Sequence, residues 1–424
     1  MNDLFTPVTR DERQEQSKRA WLLNKGRGTI IACTGYGKTR VGLNCIKTIL
    51  SKYSTFRVLV VVPTDGLRLQ WVEQIDAWGF SLNTEIQVIN TTAKHGYQCD
   101  LLILDECHRY GSDLFREVFN KVKYRLILGL TATLERLDGK HDIIEKYCPV
   151  VDEIPLEVAK LNGWVADFTE YQVIIETDDI EVYKQYNKEF QTHFEFFDYQ
   201  FNEVMKLVGK DGLKHRLALR DKMCPNGNKD QKSEVLKSIT YHSTGFMRAM
   251  QARKKYIYNH PKKTEIVREI IKYRSDKKII TFSANTAMAE AIGIGYVYTG
   301  KESKKKNRIT LEEFNSLEKG VLNSCKLANE GLDCPNLSVG IVTGVNSSST
   351  VSTQRAGRVV RKEGSKYAEM FTLTLDSTVE LEWFKKSHSK GNYVTIDVDN
   401  LIKLLKGEPW EPYKKKLQNF TYRF

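Results

Sequence analysis

The chain has 424 residues, 41% hydrophobic and 28% charged, and its 65 Lys and Arg against 53 Asp and Glu give a formal charge of +12. At roughly 150 residues per domain that length suggests two or three domains, and the composition excludes a disordered tail, a collagen-like fibre and a small disulfide scaffold. The positive excess favours an anionic partner, nucleic acid or a membrane surface, without choosing between them.

No apolar run approaches the roughly 18 to 20 residues a bilayer span needs; the longest strand-like run is Val58–Val62. The N-terminus is polar and does not read as a signal peptide. The eight cysteines include no CxxC pair, so reduced thiols and a cytoplasmic protein are expected.

In chain order, residues 28–33, 57–62, 101–104 and 125–130 are continuous Ile/Leu/Val runs, the pattern of strands buried on both faces of a parallel sheet. Residues 40–50 and 67–78 are amphipathic helices between them. Aromatic residues then crowd together from Tyr183 to Phe201, followed by basic stretches at 214–220 and 253–255. This region is expected to be a mostly helical insertion whose aromatics form a core. A second set of buried-strand runs occupies 278–282, 295–298, 320–323, 339–343 and 369–374. The expected fold is α/β, with two tandem parallel-sheet domains at 1–165 and 262–380. The insertion covers 166–261 and a short C-terminal extension covers 381–424.

The strongest local signal is Ala32-Cys33-Thr34-Gly35-Tyr36-Gly37-Lys38-Thr39. It follows an apolar strand and opens a helix, the context that makes a P-loop. Gly35 and Gly37 let the backbone curl so that N–H groups face phosphates, and the helix N-terminus adds partial positive charge. Lys38 reaches the β- and γ-phosphates and Thr39 ligates Mg²⁺; Thr34, Tyr36 and Arg40 complete the expected nucleotide contacts. Downstream, Leu101 to Leu104 run into Asp105-Glu106-Cys107-His108. Two adjacent carboxylates at the end of a buried strand each suffer desolvation beside a like charge, a cost a divalent cation removes. Asp105 then holds Mg²⁺, and Glu106 orients and deprotonates the attacking water.

Together with five further motifs in the same chain, these two resemble the superfamily 2 helicases, most closely compact phage-encoded UvsW-like and XPB-type members. Gln14 resembles the adenine-reading glutamine ahead of the P-loop, and Pro63-Thr64…Leu67…Gln70-Trp71 resembles motif Ia. Asp105 to His108 is motif II in its DECH form, Thr131-Ala132-Thr133 motif III, and Glu330-Gly331-Leu332-Asp333 motif V. Gln354-Arg355-Ala356-Gly357-Arg358-Val359-Val360-Arg361 matches QxxGRxxR, motif VI.

The resemblance implies RecA-like domains and a nucleic-acid-stimulated ATPase using ATP and Mg²⁺. The expected partner is nucleic acid, DNA ahead of RNA, and the expected form a monomer, in the cytoplasm (of a host cell if the chain is phage-encoded). It further implies that Asp333 meets the ribose and that Thr131 and Thr133 couple hydrolysis to the track. Nucleic-acid contacts are expected from Thr64, Arg68, Thr91, Ser283, Asn285 and Ser324. Arg358 and Arg361, three residues apart, share a helix face; facing the triphosphate of the first domain they act as fingers, with Gln354 one turn earlier on the γ-phosphate or the water. The basic loop 301–308 and the run from Arg253 to Lys263 are further candidates for holding a duplex or fork. Competing readings are an RNA helicase, a duplex translocase without net unwinding, and a catalytically decayed binding or annealing module.

Overall fold

Six strands form the first sheet: β1 (Arg27–Ala32), β2 (Val58–Val62), β3 (Thr84–Val88), β5 (Leu101–Asp105), β7 (Leu126–Thr131) and β8 (Val150–Ile154). β4 (Tyr97–Gln98) and β6 (Val122–Lys123) make a small separate ribbon. The order is β3-β2-β5-β7-β1-β8, and every pairing is parallel. β2 and β5 are buried at every residue, as their unbroken apolar sequences require for a sheet covered on both faces. The structure, a computed structural model, describes residues 8–134, 139–325, 334–346, 367–388 and 392–414.

The second sheet contains β9 (Asp167–Ile175), β10 (Lys278–Ser283), β11 (Tyr296–Tyr298), β12 (Gly320–Cys325), β13 (Val339–Val342), β14 (Tyr367–Leu375) and β15 (Val394–Asp397). Its order is β11-β12-β10-β13-β14-β9-β15, again all parallel. Two of these strands correct the expected boundaries. β9 lies inside the stretch assigned to the helical insertion, and β15 inside the C-terminal extension. β9 pairs with β14 along its whole length, from Asp167↔Tyr367 to Ile175↔Leu375. Its sequence hides this because Glu170 and Gln172 interrupt the apolar run. Both are buried, and each has partners on neighbouring elements. Glu170 faces His388 Nε2 at 2.8 Å and accepts from Thr372, while Gln172 bonds Thr374 and Thr395. Buried polar groups that are fully partnered do not forbid a strand.

The insertion proper therefore grows out of the second sheet. Helices Ile180–Glu195, Phe201–Val208, Gly212–Met223 and Lys229–Tyr258 enclose a core of their own, built on Phe190, Phe194, Phe197, Val204, Leu207, Ile239 and Phe246. The aromatics are core, as expected. Where the module leaves and rejoins the sheet, its two ends are clasped. Asp179 Oδ1 accepts from Tyr256 at 2.8 Å and lies 3.1 Å from His260 Nε2, and Lys262 Nζ donates to Asp178 at 3.3 Å and to the Glu176 carbonyl at 3.1 Å.

Candidate nucleotide site

Three adjacent strands of the first sheet deliver the site. β1 ends in the P-loop, β5 in Asp105 and β7 in Thr131, with Asp105 in register with Leu130 and Ile31 with Thr131. The order β5-β7-β1 thus brings all three loops to one edge, outside the carboxyl ends of the strands, where open α/β sheets bind ligands.

The P-loop has the conformation its glycines permit. Gly35 has φ 84° and Gly37 φ 98°, and a side chain at Gly37 would come within 2.9 Å of Arg10 Nη2 and Gln14 Nε2. Gly37 caps the helix Lys38–Lys52 with no side-chain hydrogen bond to its first N–H groups, so those donors remain for an anion. Lys38 Nζ rests 3.4 Å from the Ala32 carbonyl. Thr34 and Thr39 are half-buried on the same loop and helix start, while Arg40 points away to Asp11 at 3.5 Å.

Behind the loop, the helix Arg10–Leu23 holds it from outside. Arg10 donates from Nε to the Tyr36 carbonyl at 2.6 Å and from Nη2 to the Gly35 carbonyl at 2.7 Å; Gln14 Nε2 donates to the Tyr36 carbonyl at 3.1 Å. Gln14 Oε1 is buried with no hydrogen-bond partner, which leaves an acceptor for an exocyclic amine. Tyr36 packs on Trp164 at 5.7 Å between ring centroids. Arg10 was not anticipated. It lies one helical turn before Gln14, and that i, i+4 spacing on one face is the signal that could have found it.

Asp105 is buried. Its Oδ2 accepts from Trp71 Nε1 at 2.9 Å and its Oδ1 from the Glu106 amide at 3.0 Å. Burial, and next the Glu106 charge, push its carboxyl up to about 6, against the opposing pull of Trp71 and Lys38. Glu106 sits at φ 47° in the left-handed region, a conformation that costs a non-glycine residue about 1–3 kcal/mol. Its Oε2 is buried without a hydrogen-bond partner, 3.5 Å from His108 Nδ1. An elevated carboxylate beside an orphaned one fits a site completed by a divalent cation and a polarised water.

His108 Nδ1 lies 3.0 Å from Thr131 Oγ1, and that hydroxyl donates to the Thr133 carbonyl at 2.7 Å while accepting from the Thr133 amide at 3.3 Å. With its hydrogen so committed, the hydroxyl accepts from His108, which assigns the Nδ1–H tautomer. His108, Thr131 and Thr133 thus form one hydrogen-bonded chain, which begins 3.5 Å from Glu106 Oε2.

The expected nucleic-acid contacts fare unevenly. Thr64 caps its helix by accepting from Leu67 N at 3.4 Å, Arg68 pairs with Asp65 at 3.5 Å, and Thr91 is exposed. Asn285 caps its helix through Met288 N at 2.9 Å and donates to Asn259 at 2.7 Å. Ser283 and Ser324 depart from expectation. Ser324 is fully buried between β10 and β11 and donates to the Thr281 carbonyl; Ser283, at the end of β10, is 1% exposed. Both are buried because they fall within strands rather than in the loops after them. In the basic run 253–263, Arg253 is buried over the Phe190 ring at 4.1 Å, and Lys263 is buried against Glu380 at 2.7 Å. Asp333, Gln354, Arg358 and Arg361 lie outside the described residues.

Two family models match. The type III restriction enzyme res subunit model covers residues 8–96 and 80–136, and the helicase conserved C-terminal domain covers 262–363. The DNA 3'-5' translocase XPB2 of Sulfurisphaera tokodaii is 28% identical over 376 residues, spanning 82% of this chain and 78% of that protein. The chain is a superfamily 2 helicase. L396 of Acanthamoeba polyphaga mimivirus, provisionally named an ATP-dependent RNA helicase, is 24% identical over 89% of this chain and 65% of its own length. The solved structure of S. cerevisiae Dbp5 bound to RNA and ADP BeF3 is 13% identical, covers 93% of this chain and 92% of that one, and has a TM-score of 0.58; it shares the fold of two RecA-like domains. As a member of this superfamily the chain is an ATP-hydrolysing enzyme that binds nucleic acid. Among its described residues no helix is long and apolar enough to cross a membrane.

Proposed function

We propose that this superfamily 2 helicase is a Mg²⁺-dependent DNA motor that couples ATP hydrolysis to movement on, and remodelling of, forked or branched DNA. The observation that carries the reading is the hydrogen-bonded chain from His108 through Thr131 to Thr133, which begins 3.5 Å from Glu106 and leads to the loop after β7. A pure phosphotransferase has no need of that link. The preference for DNA rests on the translocase relative, which resembles this chain over most of both proteins.

In this reading Thr39 and Asp105 hold Mg²⁺, which when bound neutralises charge on the β- and γ-phosphate oxygens. The P-loop amides and Lys38 cradle the phosphates, Gln14 Oε1 accepts from the adenine amine, and Glu106 takes the proton of the attacking water. Asp333 meets the ribose, and Gln354, Arg358 and Arg361 reach the γ-phosphate from the second domain. Nucleotide then favours a closed arrangement of the two domains, and its loss releases it. Thr64, Arg68, Thr91 and Asn285 touch the phosphate backbone, which carries no sequence information and suits movement along any track.

The test is an ATPase and unwinding panel of single strands, blunt duplex, 3′ and 5′ tails, forks and four-way junctions in DNA and RNA, run alongside Lys38→Ala. Stimulation greatest on forked or branched DNA and lost in Lys38→Ala is the expected result. Stimulation by RNA alone, or turnover unchanged in Lys38→Ala, overturns it.

A further inference from the structure

Positive charge concentrates in the later part of the helical module. Residues 206–255 carry 13 Lys and Arg against 4 Asp and Glu, while the whole chain has a formal charge of +12. On the helix Lys229–Tyr258 this charge is ordered. Ile239, Ser243, Phe246, Ala249, Arg253 and Ile257 are buried, Ile239, Phe246 and Ala249 in the core of the module and Ile257 in that of the second sheet. On the opposite side Lys237, Tyr241, Thr244, Arg248, Gln251 and Lys255 are all exposed. At 100° per residue these six fall within about 80° of one another, a straight stripe about 27 Å long.

No Asp or Glu occurs between residues 235 and 258. Among the described residues Lys237, Arg248 and Lys255 make no salt bridge, whereas exposed lysines on neighbouring helices do: Lys184 with Glu181 at 2.5 Å and Lys206 with Glu203 at 2.7 Å. The cations therefore lack internal counter-charges, and the residues between them offer hydroxyl and amide hydrogen bonds. We propose that this stripe is a second nucleic-acid surface that grips the sugar–phosphate backbone of a duplex.

A duplex fits better than a single strand. Single-strand binding relies on exposed rings that stack on bases, but Phe190, Phe194, Phe197 and Phe246 are consumed in the module core, and Tyr241 is the one ring on the stripe. A rigid row of cations and hydrogen-bonding groups instead matches regularly placed phosphates. The inference rests on the motor reading above and adds to it a contact outside the two sheets.

The test uses the full chain, comparing wild type, the triple variant Lys237→Gln/Arg248→Gln/Lys255→Gln, and the control Lys184→Gln/Lys206→Gln. Circular dichroism confirms that each is folded. Binding to fluorescein-labelled blunt DNA duplex and to a single strand of the same length is measured across salt concentrations. In the triple variant duplex affinity should fall about tenfold or more, and the slope of log K against log salt should flatten by about 2–3, at about 0.9 per lost phosphate contact. The control and single-strand binding should stay close to wild type. Unchanged duplex affinity and slope in the folded triple variant, or a loss larger on single strands, overturns the stripe while wild-type stimulation by nucleic acid leaves the motor reading standing. Wild type that neither binds nor responds to any nucleic acid overturns both.

Discussion

Glu106 occupies a left-handed backbone position that glycine or asparagine would hold more cheaply. A carboxylate kept there, with one oxygen buried and unpartnered, is placed for chemistry rather than stability. Glu106→Gln is isosteric and keeps the backbone. It should retain ATP binding but lose about 10²–10⁴-fold in kcat, the range for removal of a general base, as read by steady-state ATPase beside equilibrium nucleotide binding. These residues were legible in the sequence because apolar strands lead into them: Asp105 and Thr131 each end a strand, and Lys38 opens the helix after the glycine loop that follows β1. Arg10 and Ser324 were not. The first acts on P-loop carbonyls, which no side-chain motif announces, and the second falls one residue short of leaving its strand.

At the scale of elements, the second domain contains a fully buried ion pair. Lys263 Nζ donates to both oxygens of Glu380, each at 2.7 Å, and to the Thr343 carbonyl at 2.9 Å, and Glu380 also accepts from the Leu375 amide at 3.1 Å. Burial pushes Lys263 down and Glu380 up, and each opposes the shift of the other. Lys263→Met alone should cost about 3–5 kcal/mol, because it leaves a buried carboxylate unpaired; adding Glu380→Leu should recover most of that. Chemical denaturation of the two variants checks the order. In the helical module His193 and His242 face each other, Nδ1 to Nδ1 at 3.3 Å, so one ring must accept. Burial lowers both from the ordinary value of 6.5, and for His193 the neighbouring His242 lowers it further. A depressed histidine stabilises the fold above the unfolded value, and that stabilisation is lost as protons bind the unfolded chain first. Thermal stability of the module should therefore decline as pH falls below about 6.5. His242→Asn should flatten the decline.

For the whole molecule, the interleaving of β9 and β15 with the later strands alters what counts as a domain. β9 lies between β14 and β15, so a fragment of residues 262–424 would expose both of its former neighbours. It should fail to give a cooperative melt, whereas residues 164–424 should melt cooperatively; scanning calorimetry of the two separates them. The two-domain plan was readable from apolar runs, but this strand was not, since Glu170 and Gln172 find their partners on elements about 200 residues away.

The clasp at the neck of the helical module has a mechanical reading. Asp179, His260, Tyr256 and Lys262 bind the two chain ends to one another where they meet the second sheet, so the module is yoked to that sheet. A small rotation at the nucleotide site would be magnified along the 30-residue helix Lys229–Tyr258, about 45 Å from end to end. Under the proposed motor function the module would act as a lever arm, with its outward face travelling farthest.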